Sequence, residues 1–136
     1  MILRHATIDD LDFLLRLRND PESLRGSRRT TEIPYLEHLD WFLSTPDTVL
    51  IAEIDDLKVG TVRLVKHPHE LEMGIVVAPA CRGQGYAAEM IRLGAEQAKA
   101  PVVAYVREDN ERSLKAFTRA GFQREGHYVR FTGGRG

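Results

Sequence analysis

The chain has 136 residues, 43% apolar and 29% charged, with a formal net charge of −1. That suffices for one domain with a real core and is too little for two, so residues 1–136 are expected to form a single domain. A near-neutral chain without an extended Lys/Arg block gives no electrostatic case for nucleic acid, and no apolar run approaches the roughly 20 residues that span a bilayer. The single cysteine excludes an intrachain disulfide. With no basic-then-apolar leader at the N-terminus, the expected setting is the cytoplasm.

Ile2 to Ala6 reads as a short strand, and Thr7 with Asp10 three residues on has the form of a helix N-cap. Leu11, Leu14, Leu15 and Arg18 then recur at helical spacing until Asn19-Asp20-Pro21 stops them. Residues 22–34 show little periodicity and carry Arg25, Arg28 and Arg29, which reads as a loop. Pro34 suits the first position of a second helix with Tyr35, Leu39 and Phe42 on one side. Val49 to Ile54 and Lys58 to Val65 form a hairpin around Asp55-Asp56, and Glu70 to Ala78 is the next strand.

The most informative stretch follows. Val77-Ala-Pro-Ala-Cys-Arg82-Gly83-Gln84-Gly85-Tyr86-Ala87 takes an apolar strand through a glycine loop directly into an amphipathic helix. Glycine lets main-chain N–H groups approach an anion, and a new helix adds free N–H donors and the positive end of its dipole. The helix packs through Ala87, Met90, Ile91, Gly94 and Ala98 and ends before Pro101. Val102 to Val106 has the continuous apolar character of a central strand. Asp109 or Asn110 can cap a last helix, and Gly121 suits a left-handed ending with Phe122 packed back on Phe117. Gln123 to Phe131 is strand-like. The order β-α-α-β-β-β-α-β-α-β predicts a mixed α/β sheet, antiparallel first and crossing over later.

Arg82-Gly83-Gln84-Gly85-Tyr86-Ala87, followed by Asn110-x-x-Ser113-x-x-x-Phe117-x-x-x-Gly121-Phe122, resembles the GNAT acetyltransferase superfamily. The resemblance follows the element order of the whole chain and implies a single-domain GNAT-like fold, with antiparallel N-terminal strands and a parallel central pair. It implies acetyl-CoA as co-substrate and no metal. Residues Arg82, Gly83, Gln84, Gly85, Tyr86 and Ala87 would hold the pyrophosphate, and Ile75, Val76 and Val77 the pantetheine arm. Asn110, Ser113 and Phe117 would meet that arm from the other side. Ala80 stands where many members carry Gln or Arg, which removes a side-chain contact but no main-chain donor.

Leu17-Arg18-Asn19-Asp20-Pro21, Arg28, Ile33 and Glu37-His38-x-x-Trp41-Phe42 are similar to the branch that acetylates amino groups of nucleotide-linked dideoxy sugars, as in pseudaminic acid precursors. That makes Arg18, Arg28, His38 and Trp41 candidate substrate contacts. Arg25, Arg28 and Arg29 suit a diphosphate, and an aromatic ring suits stacking.

Amine acetylation needs an oxyanion donor, expected as a backbone N–H near Val76 or Val77 where the strand bulges, and a base, for which Glu72 is the first choice. Glu70, His38 and His69 are the alternatives. Phe117 replaces the tyrosine that serves as proton donor in many members, leaving Tyr86, Tyr105, Tyr128 or water. Cys81 reads as a small filler, and His67-x-His69 lacks the second cluster that a metal would need. Two other readings stay open: an acetyltransferase for protein N-termini or lysines, and a noncatalytic acetyl-CoA-binding module. The stretch after Phe122 is short for two strands. It forms either a compressed hairpin or one strand with an exposed edge that favours a homodimer.

Overall fold

The computed structural model describes residues 1–26, 31–125 and 130–132. Among these residues, seven strands form one sheet in the order β1-β2-β3-β4-β5-β7-β6. They are β1 Ile2–His5, β2 Thr48–Ile54, β3 Leu57–Lys66, β4 Leu71–Val77, β5 Val102–Tyr105, β6 Gln123–Glu125 and β7 Arg130–Thr132. The helices are α1 Leu11–Arg18, α2 Pro21–Gly26, α3 Tyr35–Ser44, α4 Tyr86–Ala98 and α5 Glu111–Arg119. Neighbouring strands pair antiparallel, except that β4 and β5 are parallel, as the element order predicts. No helix among the described residues is long and apolar enough to cross a membrane.

Strand alternation sorts the core into two layers. Leu50, Val62, Leu64 and Met73 face α4 and α5 and pack with Met90, Ile91, Phe117 and Phe122. Val49 and Ile51 face the other way, onto Phe13, Leu14 and Leu17 of α1. α5 ends as expected: Gly121 has φ +94°, its N–H donates to Thr118 O, and Phe122 N–H donates to Phe117 O. These are the two backbone bonds of a Schellman ending, and the Phe117 and Phe122 rings lie 5.2 Å apart.

Two expectations are corrected, and one alternative left open by the sequence is decided. Residues 21–26 form the short helix α2, because Pro21 is a good first helical residue and Leu24 N–H reaches back to Asp20 O at 3.0 Å. The end of the chain is the compressed hairpin: β7 inserts between β5 and β6, with Thr132 opposite Val103. The bulge lies between β2 and β3, at Ala52/Glu53, while β4 keeps regular register with β3 from Leu71 to Val77.

The N-terminal edge is fixed by charge. Thr7 and Asp10 form a capping box around a 3-10 turn, and Asp10 is 1% exposed. Arg4 grips both its oxygens, at 2.8 and 2.9 Å, and Lys58 approaches to 2.7 Å. Arg4 also bonds Glu53. The Arg4 hydrogen bonds hold the Asp10 carboxyl well below the usual range against the opposing effect of burial, and Lys58 adds to the depression.

A depressed carboxyl stabilises the fold fully above its unfolded pKa and loses that contribution as pH falls toward the folded value. Asp10→Asn is therefore expected to cost about 3 kcal/mol at neutral pH, the low end for breaking a buried pair. It should also flatten the acid-side loss of stability, which in the parent chain begins near about pH 5. Urea melts from pH 7 to pH 3 check both.

Candidate functional site

β4 and β5 pair only at Leu71/Val102 and Glu72/Val103 and then part. Two backbone bonds fix how the peptide groups of β4 point. Leu71 N–H donates to Pro101 O on the β5 side, and Ala78 N–H donates to Val59 O on the β3 side. Alternation turns Ile75 and Val77 toward the gap left by β5, and Val76 toward β3. Val77 and Ile75 thus present backbone groups to the gap, whereas Val76 contributes its side chain.

A cleft of about 640 Å³ occupies this gap, within the size range of cofactor sites. Ile75, Val76 and Val77 form one wall, Asn110, Ser113 and Ala116 the other, and Arg82 and Ala87 mark the two ends of the glycine loop. Gly83 and Gly85 have φ of +79° and +80°, a region that L residues avoid. The turn leaves Gly83, Gln84 and Gly85 exposed. Gly85 is the N-cap of α4, and no side chain caps that end, so its first N–H groups remain available. Tyr86 donates its hydroxyl proton to Gln84 Oε1 at 3.0 Å. Across the cleft, Asn110 Oδ1 accepts from Ser113 N–H at 3.2 Å and starts α5.

A second, smaller cavity of about 140 Å³ lies on the opposite face of β4, lined by Leu14, Leu17, Arg18, Trp41, Val49 and Thr61. Val76 and Ser23 line both cavities, so the two meet at this pair. The Arg18 guanidinium lies 4.4 Å from the Trp41 ring centroid and within 3.1 Å of His38 Nδ1. His38 is fully buried, and its Nε2 lies 2.9 Å from Leu11 O. A carbonyl only accepts, so Nε2 carries the proton and Nδ1 accepts from Arg18. Burial and the nearby Arg18 charge push the His38 pKa down, although the Leu11 bond opposes this.

His38, expected as a substrate contact, lines neither cavity; its ring lies in the core against Arg18 and Leu11 O. Phe117, 2% exposed and packed in the core, likewise lies outside the cleft that it was expected to line. Glu72 is on the face of Val76 but four residues back, about 13 Å along the strand, and its carboxylate lies 2.9 Å from His67 Nε2. It lines neither cavity, and neither do Glu70, His69, Tyr86 and Tyr105. Arg28, Arg29 and Tyr128 and the side chain of Arg25 lie outside the described residues.

Four participants carry no sequence signal as singletons: Thr61 and Ser23 in the cavities, and Arg107 and Arg112 along the donor cleft. Asp20 holds Arg82 at 3.1 Å, tying the start of α2 to the glycine loop. Among the described residues no three His, Cys, Asp or Glu gather as a metal would require.

Residues 1–123 match the model of the acetyltransferase (GNAT) domain. The chain belongs to this family. No curated protein matches it. Among solved structures, the aminoglycoside acetyltransferase AAC(6')-Ib with ribostamycin and coenzyme A superposes with a TM-score of 0.84 at 16% identity, covering 98% of this chain and 92% of that one. Spermidine N-acetyltransferase from Vibrio cholerae with CoA and spermine gives 0.79 at 18%, covering 96% and 90%. A domain from Methanocaldococcus jannaschii gives 0.75 at 21%, covering 96% and 94%.

Gly85→Ala tests the cradle. Its Cβ meets nothing within 4 Å, so backbone strain of about 1–2 kcal/mol is the expected stability cost. Acetyl-CoA affinity measured by calorimetry should fall by at least about tenfold, because the loop can no longer present its N–H groups. Unchanged affinity would remove the loop from the site.

Proposed function

We propose that this GNAT domain transfers the acetyl group of acetyl-CoA to a primary amine on a molecule that also carries an anionic group, with a nucleotide-linked amino sugar as the leading acceptor. The observation that carries the reading is the meeting of the two cavities at Val76, with a guanidinium on the acceptor side. The resemblance in residues 17–42 supports the sugar, and the Arg18–Trp41 pair supplies its chemistry. Trp41 offers an aromatic face, and Arg18 a cation for a phosphate or carboxylate.

The acceptors in the two complexed relatives, ribostamycin and spermine, are polycations. A polycation calls for carboxylates, and none lines the smaller cavity among the described residues.

In this reading the glycine loop holds the pyrophosphate, and the peptide groups of Ile75 and Val77 hold the arm and the thioester. Val77 N–H is the oxyanion donor, presented by the parting of the strands rather than by a bulge. The neutral amine enters beside Thr61 and attacks the carbonyl carbon at the Val76 junction. Glu72 takes the proton through water across the floor that Gly74 leaves open, where an added Cβ would meet nothing within 4 Å. The thiolate takes its proton from water, since a thiol pKa near about 8.5 makes it a tolerable leaving group. The buried Phe117 takes no part. A cytoplasmic setting accords with both proposed substrates.

A panel of UDP-linked amino sugars, free amines and peptides with acetyl-CoA, followed by thiol release, tests the assignment. Turnover is expected first with the UDP-linked sugar. Arg18→Met should raise KM for that sugar about 10- to 100-fold, the range for a lost charge-assisted hydrogen bond, while sparing a small uncharged-body amine such as benzylamine. Glu72→Gln should lower kcat/KM and shift the acid limb of its pH profile; an unchanged profile would exclude Glu72. Turnover with peptides alone would overturn the sugar assignment, and tight acetyl-CoA binding without turnover would favour a binding module.

A further inference from the structure

The smaller cavity contains a polar group that the described residues leave unsatisfied. Thr61 is 8% exposed and lines this cavity, yet among the described residues no group bonds its hydroxyl. Its position is fixed by β-sheet register: Thr61 sits directly opposite Val76 on β4 and Ile51 on β2. It therefore faces the same side as Val76, where the donor and acceptor cavities meet. Valine would fill the same volume without burying an unpaired hydroxyl, so the sequence retains an unfavourable choice at the reaction junction.

The chemistry of the attack accounts for that choice. An amine attacking the thioester must aim its lone pair at the carbonyl carbon, so its N–H bonds need an acceptor to the side. Arg18 and the Trp41 indole only donate, and Ser23, the other hydroxyl in the lining, comes from α2 and not from the strand paired with Val76. The backbone groups of Val76 and Thr61 are spent on each other, since the Ala78–Val59 bond sets the phase of this ladder. The Thr61 hydroxyl, with two lone pairs, lies beside Val76 and is available.

Resting on the function proposed above, we infer that Thr61 Oγ accepts a hydrogen bond from the acceptor amine and so orients its lone pair for attack. Thr61 exchanges no proton. The N–C bond forms as the C–S bond breaks, the amine proton leaves through water, and the thiolate gains one from water, so one proton passes net from amine to thiol.

Thr61→Val and Thr61→Ser, compared with the parent chain on a UDP-linked amino sugar, test this. Thr61→Val is expected to lower kcat/KM about tenfold, the size of one neutral hydrogen bond, chiefly through kcat. Acetyl-CoA affinity, melting temperature and the pH midpoint should stay at parental values or, for melting, rise. Thr61→Ser should keep activity within about threefold, because its hydroxyl is retained. Ser23→Ala is the control on the opposite wall and should cost less than Thr61→Val.

Thr61→Val within twofold of an active parent would overturn the role of Thr61 alone, as the hydroxyl would then hold only a structural water. Thr61→Ser as impaired as Thr61→Val would overturn it too. A parent chain that turns over no amine in the panel would overturn the proposed function together with this inference.

Discussion

The site depends on the early parting of β4 from β5. Had the two strands stayed paired, the peptide groups of Ile75 and Val77 would be consumed by the sheet. Pairing stops at Glu72/Val103, and the loss is contained on both sides. β4 remains in register with β3 to Val77, and β5 takes β7 on its other edge at Val103, Ala104 and Tyr105. Gly60 contributes at the tightest point. A Cβ there would run into the Val76 carbonyl oxygen and lie 2.9 Å from Met90 Cε, so only glycine lets β3 hold β4 this closely. The cleft is a gap in a sheet braced by its neighbours, which holds the peptide groups of Ile75 and Val77 fixed along its wall.

The end of α1 links this gap to the acceptor side. Four consecutive residues each serve a different contact. Leu17 is buried against the sheet, and Arg18 lies over Trp41 under the control of His38. Asn19 clamps the backbone of Ile33 with bonds of 2.6 and 3.1 Å. Asp20 holds Arg82 at the entrance to the glycine loop. The wall of the smaller cavity, the glycine loop and the segment leading into α3 therefore share one short anchor, and Ser23, one turn further on, lines both cavities.

The donor half was legible in the sequence because backbone geometry dictates it. Gly83 and Gly85 need positive φ, Asn110 caps a helix, and Gly121 ends one; such requirements leave a mark at fixed spacing. The acceptor half left no such mark. Whether Glu72, His38 or Phe117 meets a ligand depends on where strands part and which helices cover them, and a side-chain type does not encode that. His38 looked like a contact because histidine often is one, but its ring serves Leu11 and Arg18 from within the core. Thr61 was invisible for the opposite reason: threonine is ordinary in a strand, and only burial without a partner distinguishes it. α2 was missed because a proline that ends one helix also begins another well.

The acceptor side also argues about charge. Arg18 borders an otherwise largely apolar cavity and bonds a histidine held neutral by burial, so His38 orients the guanidinium without cancelling its charge. Arg63, the other cation near Trp41 at 5.8 Å, pairs with Asp47 at 2.6 Å. A fold that needed only to pack this wall would do better with an apolar residue than with a guanidinium held at its rim. Under the proposed function, Arg18 would thus meet the body of the substrate across the Trp41 ring, in the orientation that His38 gives it.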